Sequence, residues 1–505
     1  MTNYGYVGGN IQALAVFGTA TAANYGTAGS LTVSSPAGNA IATNYGAVSG
    51  QVLIFATGGQ SLVNAGLISN PGGTAISFAN TSPSTLTLLP GSFIVGAITM
   101  DPAQPNVVNL QTGNLNLTFN ALGAGTTVTG TVPFAVLGNQ IAAVDPTPFA
   151  MVDRNLMDFS RGVSDAIPES VSQDAAVAKA LSFSGSEASA SSRFEDAFAG
   201  ISGLSAYAQD RAVLASPTVQ YRDGTSVWAR GFAGERDQPA DGVQLHTLNQ
   251  YYGGMLGADM QARANLRLGI FAGAGETRSS VDFNYGASTS NTGFAGAFAQ
   301  YTQGIISFRG TVQGGHSTTN TNRNINNNLV PGGLEVAKAS YGTTYFVPEA
   351  NLGLNFGLGV LHGAAYTLTP SVNVRYLFAA VEGYSESGST ANLTVAARNV
   401  QDVEERGQLK LTSTTILGAD KVVLGSIYGG VIGLQRAGST TVDTILLGQP
   451  VPFAAPGKSE TIGGYGGAGI EWHSGKATLF GSIEYLHFSD SSSVIGGRGG
   501  VKVVF

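Results

Sequence analysis

The residues able to do acid–base, nucleophilic or metal chemistry are few in this chain and poorly placed for it. There is no cysteine among its 505 residues, which removes thiol catalysis, zinc–thiolate sites and disulfides together. The five histidines are His246, His316, His362, His473 and His487. No two stand at a spacing that puts both rings on one ion, so no metal is expected. The first 144 residues hold no histidine and a single acid, Asp101. Neither a Ser-His-Asp triad nor a carboxylate pair can be assembled there. Gly464-Tyr465-Gly466-Gly467-Ala468-Gly469 satisfies the dinucleotide fingerprint by letter, but it lies in a strand pattern with no helix behind it. Gly457-Lys458-Ser459 ends like a phosphate loop, with Pro452 where the leading glycine belongs. The expectation is therefore a protein with no cofactor, no metal and no catalytic residues. With a net charge of −7 and no basic cluster, nucleic acid is not an expected partner.

The chemistry that remains is that of surfaces. Only 11% of residues are Asp, Glu, Lys or Arg, 43% are apolar and 71 are glycine. A soluble globule of this size carries about twice that charge. The charge is also unevenly spread: none occurs before Asp101, and the next charged residue is Asp145. No apolar run reaches the 18 or so residues of a transmembrane helix. Residues 11–23 (IQALAVFGTATAA) have the look of a short export signal, but nothing basic precedes them and a repeat brackets them, so a structural reading is preferred. An exported protein needs a signal, so the natural sequence is expected to continue upstream of Met1.

Three segments follow. Residues 1–145 carry the motif Asn-x-Gly at Asn3, Asn24, Asn44 and Asn64, at spacings of 21, 20 and 20 residues. Short apolar runs lie between them: Leu31-Thr32-Val33, Val52-Leu53-Ile54-Phe55 and Ala75-Ile76-Ser77-Phe78. Short strands repeating about every 20 residues predict a β-solenoid, with Asn and Gly supplying corners at φ > 0. A plain β-sandwich with Asn-Gly turns is the alternative.

Residues 146–222 read as a linker. Thr147-Pro148 has the form of a helix start. Phe149, Val152, Leu156, Phe159, Val163 and Ile167 then recur at helical spacing, with Arg154, Asp158 and Arg161 close together on the polar side. A Ser/Ala-rich stretch at 182–192 precedes a second, weaker helix at 193–207, which competes with the first for any enclosed site.

Residues 223–505 hold twelve segments of period-two alternation: 225–235, 247–261, 265–280, 291–302, 305–318, 340–358, 366–387, 401–416, 422–435, 460–473, 476–488 and 493–505. In the fifth, Ile306, Phe308 and Val312 share one face while Arg309, Thr311 and Gln313 share the other. One apolar and one polar face per strand is the pattern of a transmembrane β-barrel. The connections alternate as well. Those at 236–246, 281–290, 319–339, 388–400 and 436–459 are long and polar. Those at 262–264, 303–304, 359–365, 417–421 and 474–475 are short. Outer-membrane barrels have long extracellular loops and short periplasmic turns, and an even strand count gives this phase. Arg230, Asp259, Arg309, Glu349 and Arg375 fall on the predicted inner face. They either hold a threaded segment or solvate an open pore. Trp228, Tyr252, Tyr376, Trp472 and Tyr485 suit interfacial girdles.

The chain ends on Val501, Val503 and Phe505, all on one face. A terminal aromatic with apolar residues two and four positions back is similar to the signal read by the barrel-assembly machinery of the outer membrane. Together with Ser226-Val227-Trp228-Ala229-Arg230-Gly231-Phe232, Leu266-Arg267-Leu268-Gly269 and the segment from Asp153 to Phe159, it resembles the autotransporter family of type V secretion. The resemblance implies an all-β chain: a twelve-stranded antiparallel barrel in outer-membrane lipid, a linker helix in its lumen and a β-solenoid passenger at the cell surface. It implies display of the passenger at the cell surface, and the uncharged stacked β-edges favour adhesion to a host surface or self-association as its role. Many relatives cut their linker at an Asn-Asn pair in the lumen helix. Here the Asn-Asn pairs lie in Asn326-Asn327-Asn328, in a predicted surface loop, so self-cleavage is not expected. The alternatives are a porin-like channel with an N-terminal plug, and a soluble solenoid enzyme, which the missing acids and histidines disfavour.

Overall fold

The structure, a computed structural model, describes residues 1–79, 81–168, 225–418 and 421–505. The second predicted helix and the Ser/Ala-rich stretch lie outside these residues.

The N-terminal segment coils into stacked parallel strands. One sheet runs through Thr2–Asn3, Phe17–Asn24, Ala37–Asn44, Gln60–Asn64, Ser84–Leu88, Val107–Leu110 and Thr127–Gly130. The facing sheet holds Tyr6–Leu14, Thr27–Ser35, Ala47–Val48, Val52–Ala56, Leu67–Phe78 and Phe93–Thr99. The signal-like residues 11–23 thus fall in two strands of the stack, Tyr6–Leu14 in the first coil and Phe17–Asn24 in the second. Leu31, Val33, Ile54, Leu62, Ile76 and Leu86 are fully buried between the sheets. Each such side chain contributes about 1.5–3 kcal/mol.

The repeat works differently from its sequence reading. Asn3, Asn24, Asn44 and Asn64 do not adopt φ > 0, and neither do Gly5, Gly26, Gly46 and Gly66. The asparagines instead form a ladder along the stack. Each Nδ2 donates to the Oδ1 of the next coil's asparagine at 2.8 Å, from Asn3 to Asn24, Asn24 to Asn44 and Asn44 to Asn64. The glycines serve close approach: a Cβ on Gly46 would lie 1.9 Å from the Gly26 carbonyl oxygen, which accepts the Ala47 N–H. Tyr4, Tyr25 and Tyr45 stack outside the same corner, with ring centroids 4.9 and 5.1 Å apart.

Among the described residues twelve antiparallel strands form the barrel: Thr225–Gln238, Thr247–Arg263, Leu266–Val281, Gly286–Gln303, Ile306–Asn327, Leu334–Leu354 (continued by Phe356–Leu361), Ala364–Val381, Arg398–Gly418, Lys421–Arg436, Glu460–Ser474, Ala477–Phe488 and Ser493–Val504. The first pairs with the last, from Ser226 opposite Val504 to Asp237 opposite Ser493, which closes the barrel. Closure leaves no open edge, the condition for a sheet in hydrocarbon. Ile306, Phe308, Val312, Leu352, Val372 and Ile470 point outward and are exposed, as a lipid-facing band requires. Trp228 does not join the outer aromatics. It faces inward, 1% exposed, beside Phe271.

Two predicted loops are mostly strand. Segments 281–290 and 319–339 narrow to turns at 282–285 and 328–333, because the third to sixth strands run on beyond the apolar band. The extensions carry Ser, Thr and Asn on both faces, although one face stays buried, as at Ser317, Thr319 and Arg323. They lose the hydrophobic alternation while the backbone ladder continues, for example Thr319 opposite Tyr341. Conversely, the seventh strand stops at Val381. Residues beyond it contribute Tyr384–Ser385 and Leu393–Val395 to a small sheet with Thr444–Leu446 and Gln449–Pro450. Leu393, Val395 and Leu446 of this sheet, with neighbouring Val442, cluster with Ala135, Ala142, Val144 and Phe149 at the surface end of the lumen.

Candidate functional site: a linker helix clamped in the barrel lumen

The chain leaves the solenoid at Asp145 and turns into the barrel. Thr147 is not the helix cap. Pro146 holds that position without a side-chain bond. The Thr147 hydroxyl and N–H both donate to Asp145 Oδ1, at 2.6 and 3.0 Å, and the Leu245 N–H donates to that hydroxyl. Burial pushes the Asp145 carboxyl up to about 6, against the lowering effect of the Thr147 bonds. A short turn, Thr147–Ala150, leads into the helix Val152–Ala166.

The predicted apolar face divides in two. Phe159, Val163 and Ile167 are buried, and Phe159 meets Phe232 and Phe294 edge-on at 5.4 and 5.7 Å. Gly162 lets the helix approach the first strand, since a Cβ there would lie 2.7 Å from the Phe232 ring. Val152 and Leu156 are only half-buried. With Phe149 they line a cavity at the surface end, walled by hydroxyls such as Thr277, Ser290, Thr292 and Thr319. Hydrophobic packing therefore fixes the lower half of the helix, and polar contacts hold it along its whole length.

Those contacts are ionic and lie on the opposite side. Asp158 receives Arg236 through two bonds of 2.6 and 2.9 Å, and Arg161 at 2.7 Å. Arg161 also reaches Glu404 at 2.5 and 3.0 Å. Asp153 pairs with Arg436 at 2.5 Å, Arg154 with Asp402 at 3.4 Å and Asp165 with Arg498 at 2.7 Å. The three linker charges singled out in the sequence thus divide: Asp158 and Arg161 pair with each other, while Arg154 bonds the wall. Gln313 adds bonds from its Nε2 to Ser160 O and Ser164 Oγ at 2.9 and 2.8 Å.

Of the five predicted inner charges, three stand beside the helix. Arg375 bonds Glu349 at 3.0 Å and Glu404 at 2.8 Å, and lies 4.0 Å from Asp165. Arg309 lies 3.7 Å from Glu349. The other two belong to a separate cluster nearer the periplasmic ends of their strands. There Asp259 accepts bonds from Arg267 and Ser226, and Arg230 lies 4.1 Å over the Phe480 ring. At the terminus Val501 and Phe505 face outward, Val503 is half-buried and the Phe505 N–H donates to Thr225 O.

Sequence reading passed over the wall partners Arg236, Asp402, Glu404, Arg436 and Arg498, and Arg406, which lies 3.6 Å from Asp165. A signal existed for three of them: Asp402, Glu404 and Arg406 alternate along the eighth strand, and all are buried. Three charges at period two inside a membrane strand need partners in the lumen.

The fold and this site define an outer-membrane β-barrel whose pore holds a helix of its own chain. The autotransporter beta-domain family matches residues 227–419, the span of the first eight barrel strands. Residues 227–419 thus carry an autotransporter beta-domain, which implies an outer-membrane β-barrel with the segment before it exposed at the cell surface. Among solved structures, the translocator domain of autotransporter NalP from Neisseria meningitidis is 15% identical, with a TM-score of 0.43, over 56% of this chain and 88% of that one. The transport unit of AIDA-I from Escherichia coli is 15% identical, with a TM-score of 0.39, over 55% and 90%. The beta domain of the Bordetella autotransporter Brka is 15% identical, with a TM-score of 0.41, over 56% and 100%. No curated protein matches the chain.

Proposed function

We propose that this chain carries its own solenoid through the outer membrane and holds it there as a non-enzymatic surface for adhesion or self-association. The observation that supports carriage is the course of the linker. It enters the lumen beside the surface loop residue Leu245 and, at its other end, Gln300 of the fourth strand donates to Pro168 O. Gln300 lies near the short turn at 304–305, so the helix runs the length of the pore and joins opposite sides of the membrane. A plugged porin would put the N-terminal segment in the pore. Here the described part of the pore filling is 147–168. For the passenger's role, the support is its surface. It bears no charge before Asp101, and Tyr4, Tyr25 and Tyr45 are exposed along one corner. Uncharged, aromatic-rich β-surfaces associate readily with one another and with other proteins. The partners proposed are outer-membrane lipid, the barrel-assembly machinery acting on Val501, Val503 and Phe505, and a second copy or a host surface.

The test compares cells displaying the full chain with cells displaying a chain deleted for residues 2–100. Settling and adherence to host-cell monolayers should fall to the level of cells without the protein. Equal clumping and adherence at equal barrel levels would reject the role.

A further inference from the structure

The linker helix does not fill the surface end of the lumen. The cavity beside Phe149, Val152 and Leu156 encloses about 1200 Å³, its opening included. Its lining reaches Phe159 and no further along the helix, and there the ring packs against Phe232 and Phe294. The two walls differ in chemistry. The helix wall is apolar. The wall of the third to sixth strands carries hydroxyls at the strand period, among them Thr277, Ser290, Thr292, Thr319 and Thr343. Some of these bond one another, Ser290 to Thr319 at 2.7 Å and Thr292 to Ser317 at 3.0 Å, and each keeps a lone pair to accept with. The charged residues on the lining are already engaged. Arg323 bonds Glu386 at 3.0 and 2.5 Å, and Arg398 Nη2 donates to Phe149 O at 3.1 Å.

Where the helix meets the second and third strands, three polar atoms are unspent. Asn155 Nδ2 donates to Ser279 Oγ at 2.8 Å, and Ser279 donates to Asn249 Oδ1 at 2.7 Å. This relay leaves Asn155 Oδ1 and Asn249 Nδ2 without a partner among the described residues, and Thr247 Oγ1 has none either. Thr247 and Asn249 are 1% and 0% exposed, and Thr247 and Asn155 both line the cavity. Buried polar atoms left unpaired are costly and few in native chains, so a cluster of them beside a cavity points to an occupant. The walls set its chemistry. A hydrocarbon matches the helix but satisfies none of the hydroxyls or unspent atoms. A charged molecule finds its counter-charges already paired. A sugar ring has what both walls ask for: a C–H face for Val152 and Leu156, and hydroxyl edges that donate and accept. Concave sites with an apolar lining and a few convergent polar groups, at the mouths of barrels among other places, are where small ligands bind.

We propose that this cavity binds a neutral saccharide, held between the linker helix and the barrel wall, with Thr247 and Asn155 bonding its hydroxyls. The site is independent of what the passenger does, and its test needs neither transport nor adhesion. The purified full chain is kept in dodecyldimethylamine oxide, a detergent without a sugar headgroup. It is titrated in a calorimeter with maltotriose, cellotriose and triacetylchitotriose in turn, and with 1-octanol as the apolar comparator. At least one trisaccharide should bind. Thr247→Val keeps the shape of the side chain and removes the unspent hydroxyl, so it should weaken that binding about tenfold. Thr318→Val, on the outer face of the fifth strand, should match the parent. Without saccharide, Thr247→Val should keep the parent's heat-modifiable mobility and urea midpoint, because no bond within the protein is lost. Heat from none of the three trisaccharides would mean that the cavity holds water only, and would overturn the proposal. So would binding of octanol alone, or a Thr247→Val protein that is less stable yet binds the saccharide as the parent does.

Discussion

Asp158 is the linker residue most dependent on the barrel, and its removal gives a measurable opening of the pore. It is fully buried and accepts Arg236 twice and Arg161 once. In Asp158→Ala, Arg161 keeps Glu404 as its partner, whereas Arg236 retains only Ser492 Oγ at 3.1 Å among its described side-chain bonds. An uncompensated buried charge costs about 3–5 kcal/mol. If that cost falls on the docked helix, the undocked fraction rises by roughly 10²–10³ at 1.4 kcal/mol per tenfold. The barrel itself should stay folded, since its backbone ladder is untouched. Single-channel recording in planar bilayers reads the change directly: the parent should be closed almost throughout, and Asp158→Ala should show frequent openings. The double variant Asp158→Ala/Arg236→Ala removes the stranded charge and should be quieter than the single. Equal conductance in parent and Asp158→Ala, or a double variant at least as open as the single, would refute the reasoning.

Other expectations follow from the same geometry. In the solenoid, Asn44→Leu breaks the ladder on both sides and leaves two buried amides short of a partner, at about 1–3 kcal/mol each. The passenger's urea midpoint should fall while the barrel's heat-modifiable mobility is unchanged. Asp145 carries a carboxyl raised to about 6 when folded, above its unfolded value of 3.8, so the folded state favours its protonated form. Its effect on stability is absent below about pH 4, becomes unfavourable as pH rises to 6 and levels off near 3 kcal/mol above that. Asp145→Asn should therefore protect the 110–147 region from proteolysis more than the parent at pH 7.5 and equally at pH 4. Deleting Phe505 should lower the amount in the outer membrane and raise periplasmic degradation. The protein that does insert should have normal melting, because the side chain is exposed.

The barrel was the most legible part of the sequence. Its strands bury one face and expose the other to lipid, so every membrane crossing leaves a period-two trace, as Ile306, Phe308 and Val312 do. The trace failed above the membrane, where the hairpin through Asn326 carries polar residues on its buried face as well as its exposed one and looked like a loop. The Asn-x-Gly repeat announced stacked coils, yet its chemistry was misjudged. Period fixes how often the coils recur, whereas the ladder and the close approach at Gly46 depend on what the adjacent coil presents. The lumen was legible from one side only. Helical spacing found Phe159, Val163 and Ile167, but pairings such as Asp158 with Arg236 join residues far apart in the chain, and a single sequence gives no register between a helix and a barrel wall. The placement of Trp228 failed for a related reason: alternation assigns a strand two faces, and its inner face at the periplasmic end mixes Trp228 with Ser226 and Arg230.

The central claim is that the chain crosses the pore once, with the solenoid outside and the short turns in the periplasm. Because the parent has no cysteine, single-cysteine variants test it directly. Tyr45→Cys, Val163→Cys and Ile305→Cys are exposed to a membrane-impermeant maleimide on intact cells, then on cells with a permeabilised outer membrane, then after denaturation. The structure predicts labelling of Tyr45→Cys on intact cells, of Ile305→Cys only after permeabilisation, and of Val163→Cys only after denaturation, with full-length protein throughout. Labelling of Ile305→Cys on intact cells, with Tyr45→Cys protected until permeabilisation, would contradict it.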